Sequence, residues 1–154
     1  MYYIACLVTY RVLIADDSRV VREVIKTFLE QRDDLTVCGE ASNGREAVEK
    51  ALALKPDLVL LDLSMPELNG AEAASIIKQA CPHIRIIMFT MFSEHVGKSL
   101  TSAIGVDAVL SKPDGMKELV KAIENLFADK TGEQDLPRIE RAKLPTTNPD
   151  GETQ

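Results

Sequence analysis

The sequence predicts a doubly wound α/β fold, in which a five-stranded parallel sheet carries helices on both faces. Five short apolar segments are each followed by a stretch with the periodicity of an amphipathic helix. Units of this kind place their strands side by side through right-handed crossovers. The chain has 154 residues, of which 45% are hydrophobic, enough to bury one substantial core. One domain with tails is therefore expected.

The five predicted strands are short apolar runs that end at polar or turn-forming residues. The third is unbroken Leu-Val-Leu-Leu directly before Asp62, as in a strand buried on both faces, and Met65-Pro66 and Asn69-Gly70 then end the run. The predicted strands cover residues 11–15, 35–41, 58–61, 84–90 and 106–111.

A helical pattern follows each strand. Ser18 is placed to cap the first helix, which extends to about residue 31. Its predicted apolar face consists of Val20, Val21, Val24, Ile25, Phe28 and Leu29. The later helices are predicted to open at Asn43, after Gly70, at Ser93 and at Asp114. Beyond residue 128 the periodicity stops.

These patterns divide the chain into an apolar appendage (1–10), a folded domain (11–128) and a polar, proline-containing tail (129–154) that is expected to be mobile. The first ten residues lack a basic leading segment and are interrupted by Arg11. They therefore match neither a signal peptide nor a membrane span, and they could extend the first strand.

Composition excludes several classes of function. The net charge of −6 and the pI near 5.0 argue against direct nucleic-acid binding, which needs clustered cations. Cys6, Cys38 and Cys81 are odd in number and far apart, so neither a disulfide framework nor a zinc site is expected. A cytoplasmic protein without membrane association fits best.

Polar side chains stand at the ends of four of the five predicted strands. They are Asp16-Asp17, Asp62, Thr90 and Lys112. In an open parallel sheet, ligands bind outside the carboxyl ends of the strands. Each residue alone could be a helix-start, loop-capping or surface residue. Their shared position is a stronger signal and indicates a site.

Three carboxylates at one sheet edge repel each other, and a hard divalent cation with oxygen ligands relieves that repulsion. Mg²⁺ is the candidate. A carboxylate beside Mg²⁺ and a lysine ammonium can attack phosphorus and become an acyl phosphate, because both cations neutralise the phosphoryl oxygens. Asp62 is the predicted nucleophile.

The Asp16-Asp17 pair, Asp62 followed by Met65-Pro66 and Gly70, Thr90, and Lys112-Pro113 together resemble the receiver domain of two-component response regulators. The resemblance covers about residues 11–128. It implies a flavodoxin-like sheet of strand order 2-1-3-4-5. It also implies that a histidine kinase or phosphotransfer protein phosphorylates Asp62.

The resemblance implies further roles. Asp17, Asp62 and the Ser64 carbonyl would ligate Mg²⁺ directly, and Asp16 would act largely through water. Lys112 would pair with the phosphoryl group, and its peptide bond to Pro113 would be cis.

The resemblance also implies a switch. Thr90 would move toward the phosphoryl oxygen and change the surface of the fourth helix, fifth strand and fifth helix. Ser64 and Phe92 lie two positions after Asp62 and Thr90, where the family sets the rate of dephosphorylation. Val109 departs from the family pattern, which commonly has Tyr or Phe three residues before the lysine.

Thr90-Met91 and the run 105–112 are similar to receivers that usually carry a C-terminal helix-turn-helix DNA-binding domain, and the 26 or so residues of tail are too few and too polar for one. Expected partners are a kinase or phosphotransfer protein and an unknown output partner, and could include a second copy in a phosphorylation-dependent homodimer. Self-directed phosphotransfer and dephosphorylation are expected, rather than an enzyme activity on other substrates.

Three alternatives stay open at this point. A haloacid dehalogenase-type phosphatase also uses a strand-terminal Asp, but needs a second Asp where Ser64 stands. A degenerate receiver acting as a constitutive interaction module would have lost site residues, and all are present. The third is a receiver fragment of a longer DNA-binding regulator.

Overall fold

A computed structural model describes residues 8–91 and 102–128, and its centre is a parallel sheet of five strands. The strands are β1 (Tyr10–Ala15), β2 (Leu35–Ala41), β3 (Leu58–Leu61), β4 (Arg85–Thr90) and β5 (Ala108–Ser111). Their order in the sheet is β2-β1-β3-β4-β5. The predicted fold class and strand order are confirmed.

Helices cover both faces of the sheet. They are α1 (Arg19–Leu29), α2 (Gly44–Leu54), α3 (Gly70–Ala80) and the C-terminal helix (Gly115–Ala128), which a 3-10 turn (Lys112–Asp114) precedes. The helix predicted to open at Ser93 lies outside the described residues except at its end, near 102–104, as do residues 1–7 and the predicted tail. Tyr10 belongs to β1, so the first strand begins one residue before its predicted start at Arg11.

Alternation along β3 builds two apolar layers. Val59 and Leu61 belong to the layer under α2 and α3, whereas Leu58 and Leu60 belong to the layer under α1 and the C-terminal helix. Alanines at the α2–α3 contact, among them Ala47 and Ala73, are fully buried. Both faces of the central strand are thus dry, and polar groups that follow it meet solvent only at the sheet edge.

Side-chain caps fix the helix starts near the carboxyl ends of the strands. Ser18 accepts from the Val21 amide at 3.3 Å, and Asn69 accepts from the Glu72 amide at 2.9 Å. Asn43 accepts from the Glu46 amide at 2.8 Å. The Glu46 carboxylate accepts from the amide and the hydroxyl of Ser42. In a capping box it would accept from the amide of the N-cap residue, Asn43, so the reciprocal bond here is shifted by one residue.

Two expectations were wrong. Val20 and Val24 are 70% and 52% exposed, because α1 buries only the stripe through Ile25 and Leu29. The Lys112–Pro113 peptide is trans. Pro113 lies at the start of the 3-10 turn, where the fixed φ of proline suits a helical turn of trans peptides.

Within residues 8–91 and 102–128, no helix has the length and apolar character that a membrane span requires.

Candidate functional site at the carboxyl edge of the sheet

The sheet itself sets the positions of two carboxylates. Asp16 directly follows β1, and its amide donates to the Ala41 carbonyl at 3.0 Å. Asp62 follows β3, and its amide donates to the Ala15 carbonyl at 2.9 Å. Both residues therefore extend the hydrogen-bonded ladder by one step, and their side chains are fixed at the edge rather than carried on a free loop.

The buried polar side chains lie at this edge of the sheet. Asp16, Asp62 and Thr90 are the buried polar or charged residues within 8–91 and 102–128, with exposed fractions of 2%, 6% and 2%. Asp17 is exposed. One carboxylate oxygen from each of Asp16, Asp17 and Asp62 lies within 4.8 Å of the others. Buried carboxylates this close need a cation to balance them.

Lys112 directly follows the outermost strand, β5, and supplies one such cation. Its Nζ donates to Oδ2 of Asp16 at 2.6 Å and lies 3.3 Å from Oδ2 of Asp62. Burial lowers the pKa of the ammonium, but the two carboxylates raise it by more, so the pKa of Lys112 lies above its ordinary value. Lys112 is therefore charged.

The pKa of the Asp62 carboxyl group lies above its ordinary value. Burial is the largest influence and raises the pKa of Asp62, and the charge of Asp16 raises it further. The Lys112 ammonium and a hydrogen bond from the Ser64 backbone oppose that rise without cancelling it. A carboxylate that is poorly solvated, and held by few donors, keeps an oxygen ready to bond to an electrophile.

The loop after Asp62 is held close beneath the carboxylates by a glycine. A Cβ on Gly70 would lie 2.1 Å from the Asp62 carbonyl oxygen and 2.8 Å from Cα of Leu63. The Gly70 amide also donates to the Leu63 carbonyl at 2.8 Å. A pocket lined in part by Asp17, Ser64 and Asn69 opens next to the cluster and admits solvent.

The donor set fits a hard divalent cation. Three carboxylates with converging oxygens, one of them exposed, leave room for retained water, which suits Mg²⁺ better than a fully protein-caged ion. The Ser64 backbone lies beside Asp62 and can offer a carbonyl. Cysteine and histidine ligands, which softer metals prefer, are absent from this cluster of described residues.

The structure brings together most of the residues that the sequence analysis singled out. Thr90 ends β4, where it is paired in register with Ser111, the residue before Lys112. Val109 lies in β5 opposite Met88, half-buried against the α2–α3 layer of the core. Phe92 lies outside the described residues.

One contact at the site was not anticipated. Nη1 of Arg22, on α1, donates to the main-chain carbonyl of Asp16 at 2.6 Å, and Nε donates to Glu40 at 3.2 Å. The sequence carries only a weak signal for it, a cation one turn into the helix after the acidic pair. The contact depends on how α1 packs beside β2, which periodicity does not specify.

Comparisons with known proteins show which family this chain resembles. A family model described as the response regulator receiver domain matches residues 12–124. The response regulator protein VraR of Staphylococcus aureus is 38% identical over 115 residues, which cover 75% of this chain and 55% of VraR. The chain thus spans about half the length of the curated relatives it matches.

Two solved structures are similar over most of the chain. A two-component response regulator of the LuxR family from Aurantimonas sp. SI85-9A1 has a TM-score of 0.74 and 32% identity, covering 79% of this chain and 86% of that one. A chain of the CheX–CheY–BeF3–Mg complex from Borrelia burgdorferi has a TM-score of 0.70 and 26% identity, covering 78% and 90%.

Proposed function

We infer that this chain, which belongs to the response regulator receiver domain family, accepts a phosphoryl group on Asp62 from a histidine kinase or phosphotransfer protein. Receiver domains are signalling modules. The observation that carries the proposal is the convergence of Asp16, Asp17 and Asp62 within 4.8 Å, with Lys112 in contact with two of them. This arrangement offers a nucleophilic oxygen and cationic support at the same place.

The chemistry is a transfer between two side chains. An oxygen of the ionised Asp62 forms a bond to phosphorus while the bond from phosphorus to the donor's imidazole nitrogen breaks, and the imidazole takes up a proton. Water later attacks the acyl phosphate, which releases inorganic phosphate and restores the carboxylate. Both steps are self-directed, since the chain itself is the substrate.

Mg²⁺ is the proposed cofactor, held directly by Asp17, Asp62 and the Ser64 carbonyl, and by Asp16 largely through water. When bound, it neutralises phosphoryl oxygens that would otherwise meet three like charges. Lys112 neutralises a further oxygen. The similar CheX–CheY complex of Borrelia burgdorferi, which contains BeF3 and Mg, supports this proposal.

The proposed output is a change of surface. Thr90 is buried at the end of β4 and adjoins the predicted fourth helix in the chain, so its hydroxyl can follow a phosphoryl group and carry the neighbouring loop with it. The surface affected comprises the fourth helix, β5 and the C-terminal helix. Its reader is an unidentified output partner, or a second copy of the chain.

A second candidate is that residues 11–128 are the receiver of a longer DNA-binding regulator. Its support is that the chain spans 55% of VraR and is similar to a DNA-binding response regulator of the LuxR family from Staphylococcus aureus. In either case we propose a cytoplasmic location. The haloacid dehalogenase alternative loses its support, because the chain belongs to a different family and has Ser64 where that enzyme class needs Asp.

The proposal is tested by incubating the full chain with acetyl phosphate, with and without Mg²⁺. Intact mass should rise by one phosphoryl group only with the metal, and the Asp62→Asn variant should stay unlabelled. Asp57→Asn, at the other end of β3, is the matched control and should be labelled like wild type. Labelling that persists in EDTA or in Asp62→Asn would contradict the proposal.

A further inference from the structure

The Asp16–Asp17 peptide is held from outside the acidic cluster by Arg22. Nη1 of Arg22 donates to the Asp16 carbonyl at 2.6 Å, and the side chain is 14% exposed. That carbonyl belongs to the peptide unit that leads into Asp17. The orientation of this unit decides where the Asp17 side chain starts, because a trans peptide is planar and turns as one body.

The other polar atoms of Asp16 already have partners. Its amide donates to Ala41, Oδ1 accepts from the Ser18 amide at 2.8 Å, and Oδ2 accepts from Lys112. These bonds fix Asp16, and the contact with Arg22 adds the last constraint on the peptide that follows it. Asp17 itself is exposed. Its position therefore depends on the backbone more than on packing.

Arg22 is in turn held by a second group. Nε donates to Oε1 of Glu40 at 3.2 Å, and the Lys50 ammonium donates to the main-chain carbonyl of Glu40. Glu40 lies in β2, where it is paired in register with Ile14 of β1. The guanidinium thus bridges the Glu40 carboxylate and the Asp16 carbonyl through two different nitrogens. Lysine cannot reproduce this arrangement fully, because its charge is on one nitrogen rather than on a planar fork.

We propose that Arg22 is a positioning residue for Mg²⁺: it orients the Asp16–Asp17 peptide so that the Asp17 carboxylate meets Asp16 and Asp62. This inference rests on the proposed function, in which Asp17 is a metal ligand. Arg22 touches a carbonyl and not a carboxylate of the cluster, so its role is distinct from that of Lys112.

The charge of Arg22 and its proposed positioning role predict opposite changes in Mg²⁺ affinity when the residue is replaced. Arg22 is a cation near a cation site, so its removal should tighten Mg²⁺ binding if only charge matters. Loss of an orienting charge-assisted hydrogen bond should weaken binding instead, by about five- to tenfold. Arg22→Met keeps much of the apolar stem and removes every donor. Arg19→Met, one turn earlier and paired only with Glu23 among the described contacts, removes the same charge from an exposed site.

The experiment titrates Mg²⁺ into the full chain by calorimetry and measures the backbone order parameter of the Asp17 amide by NMR without metal. We expect Arg22→Met to weaken Mg²⁺ binding about five- to tenfold and to lower the Asp17 order parameter. Arg22→Lys should recover part of the affinity, and Arg19→Met should change it less than about twofold and not weaken it. Urea unfolding of each variant identifies any general loss of stability.

The outcomes separate the two proposals. If wild type binds Mg²⁺ and Arg22→Met binds it equally or more tightly, the inference about Arg22 is wrong and the proposed function stands. If wild type does not bind Mg²⁺, the proposed function fails, and the metal-free order parameter alone decides about Arg22. An Asp17 amide as ordered in Arg22→Met as in wild type overturns the positioning role in either case.

Discussion

Lys112 donates a 2.6 Å hydrogen bond to Asp16 across 96 residues of chain, and the same ammonium lies 3.3 Å from Asp62. In this arrangement the lysine balances two of the three carboxylates that are proposed to bind Mg²⁺. A bound cation would therefore compete with the ammonium for the same negative charge, and it would leave the lysine free to contact a phosphoryl group.

We expect Lys112→Ala to bind Mg²⁺ more tightly, by about five- to thirtyfold, since a unit charge at this range is worth about 1–2 kcal/mol in a partly screened site. The variant should nevertheless fail to couple phosphorylation to a change of shape. Calorimetry gives the affinity, and NMR shifts with BeF3 give the coupling. Lys121→Ala, at an exposed position of the C-terminal helix, is the control. Normal BeF3 shifts in Lys112→Ala would make the lysine a bystander.

Gly70→Ala should be strongly destabilising, because its Cβ would meet the Asp62 carbonyl oxygen at 2.1 Å and neither backbone can easily give way. We expect a loss of at least about 2 kcal/mol in the free energy of unfolding. Gly105→Ala is a useful contrast. Its φ is +82° but nothing lies within 4 Å of the new Cβ, so only the conformational cost of about 1 kcal/mol applies. Urea unfolding should rank the two variants in that order.

Arg32 and Asp34 should make part of the stability pH-dependent. Two hydrogen bonds of 2.9 Å from Arg32 hold the pKa of Asp34 below its ordinary value. The pair stabilises the fold above the unfolded pKa of about 3.9, and its contribution is lost as the pH falls through the lower folded value. Asp34→Asn should cost no more than about 1 kcal/mol at pH 7, because both side chains are a third or more exposed.

Urea unfolding at pH 7 and near pH 2 checks this expectation, and the difference between wild type and Asp34→Asn should shrink at the lower pH. Asp33→Asn is the control for a charge change at an exposed neighbour. A difference that stays constant with pH would mean that the bonds to Arg32 depend little on ionisation.

Sequence patterns predicted the sheet and the place of the site for a physical reason. Unbroken apolar runs force strands into a dry layer, so the polar groups after them, such as Asp16 and Asp62, must emerge at the same edge. The strand β2 was predicted with its observed bounds, Leu35–Ala41. Both features depend on the order of apolar and polar residues along the chain, so a single sequence is enough to predict them.

The features that were predicted wrongly, or not predicted, depend on how separate elements pack and on the local backbone conformation. Val20 and Val24 have the right period for a buried face, yet the width of that face depends on how α1 lies against the sheet. The trans peptide at Pro113 depends on the 3-10 turn that the chain makes there. The contact between Arg22 and the Asp16 carbonyl depends on the height of α1 beside β2, which no spacing in the sequence records.

The prediction about Phe92 rests on the sequence alone, because this residue lies outside the described residues. A bulky apolar side chain two positions after Thr90 should shield an acyl phosphate on Asp62 from water. We therefore expect Phe92→Ala to lose its phosphoryl group faster than wild type, by a few-fold. The decay of acetyl phosphate-labelled protein, followed by intact mass, gives both rates. Equal or reversed rates would remove Phe92 from the set of residues that tune dephosphorylation.

Val109 should limit how strongly the phosphoryl state is transmitted. It is half-buried in β5, opposite Met88 and two strand positions from Ser111, and its β-branched side chain is restricted at χ1. It therefore cannot swing a ring between an inner and an outer position. Coupling must rest on Thr90 and the residues after it, and a smaller moving part gives a smaller bias between the two surfaces.

We expect BeF3 to change self-association, or the affinity for an output partner, less in wild type than in Val109→Tyr, while both proteins are labelled at Asp62 at equal rates. Val109→Leu is the matched control, because it adds volume at the same place without an aromatic ring or hydroxyl. Sedimentation with and without BeF3 and Mg²⁺ measures the response. If wild type already responds strongly and Val109→Tyr responds no more, the switch does not need a ring at this position, and the prediction about Val109 is wrong.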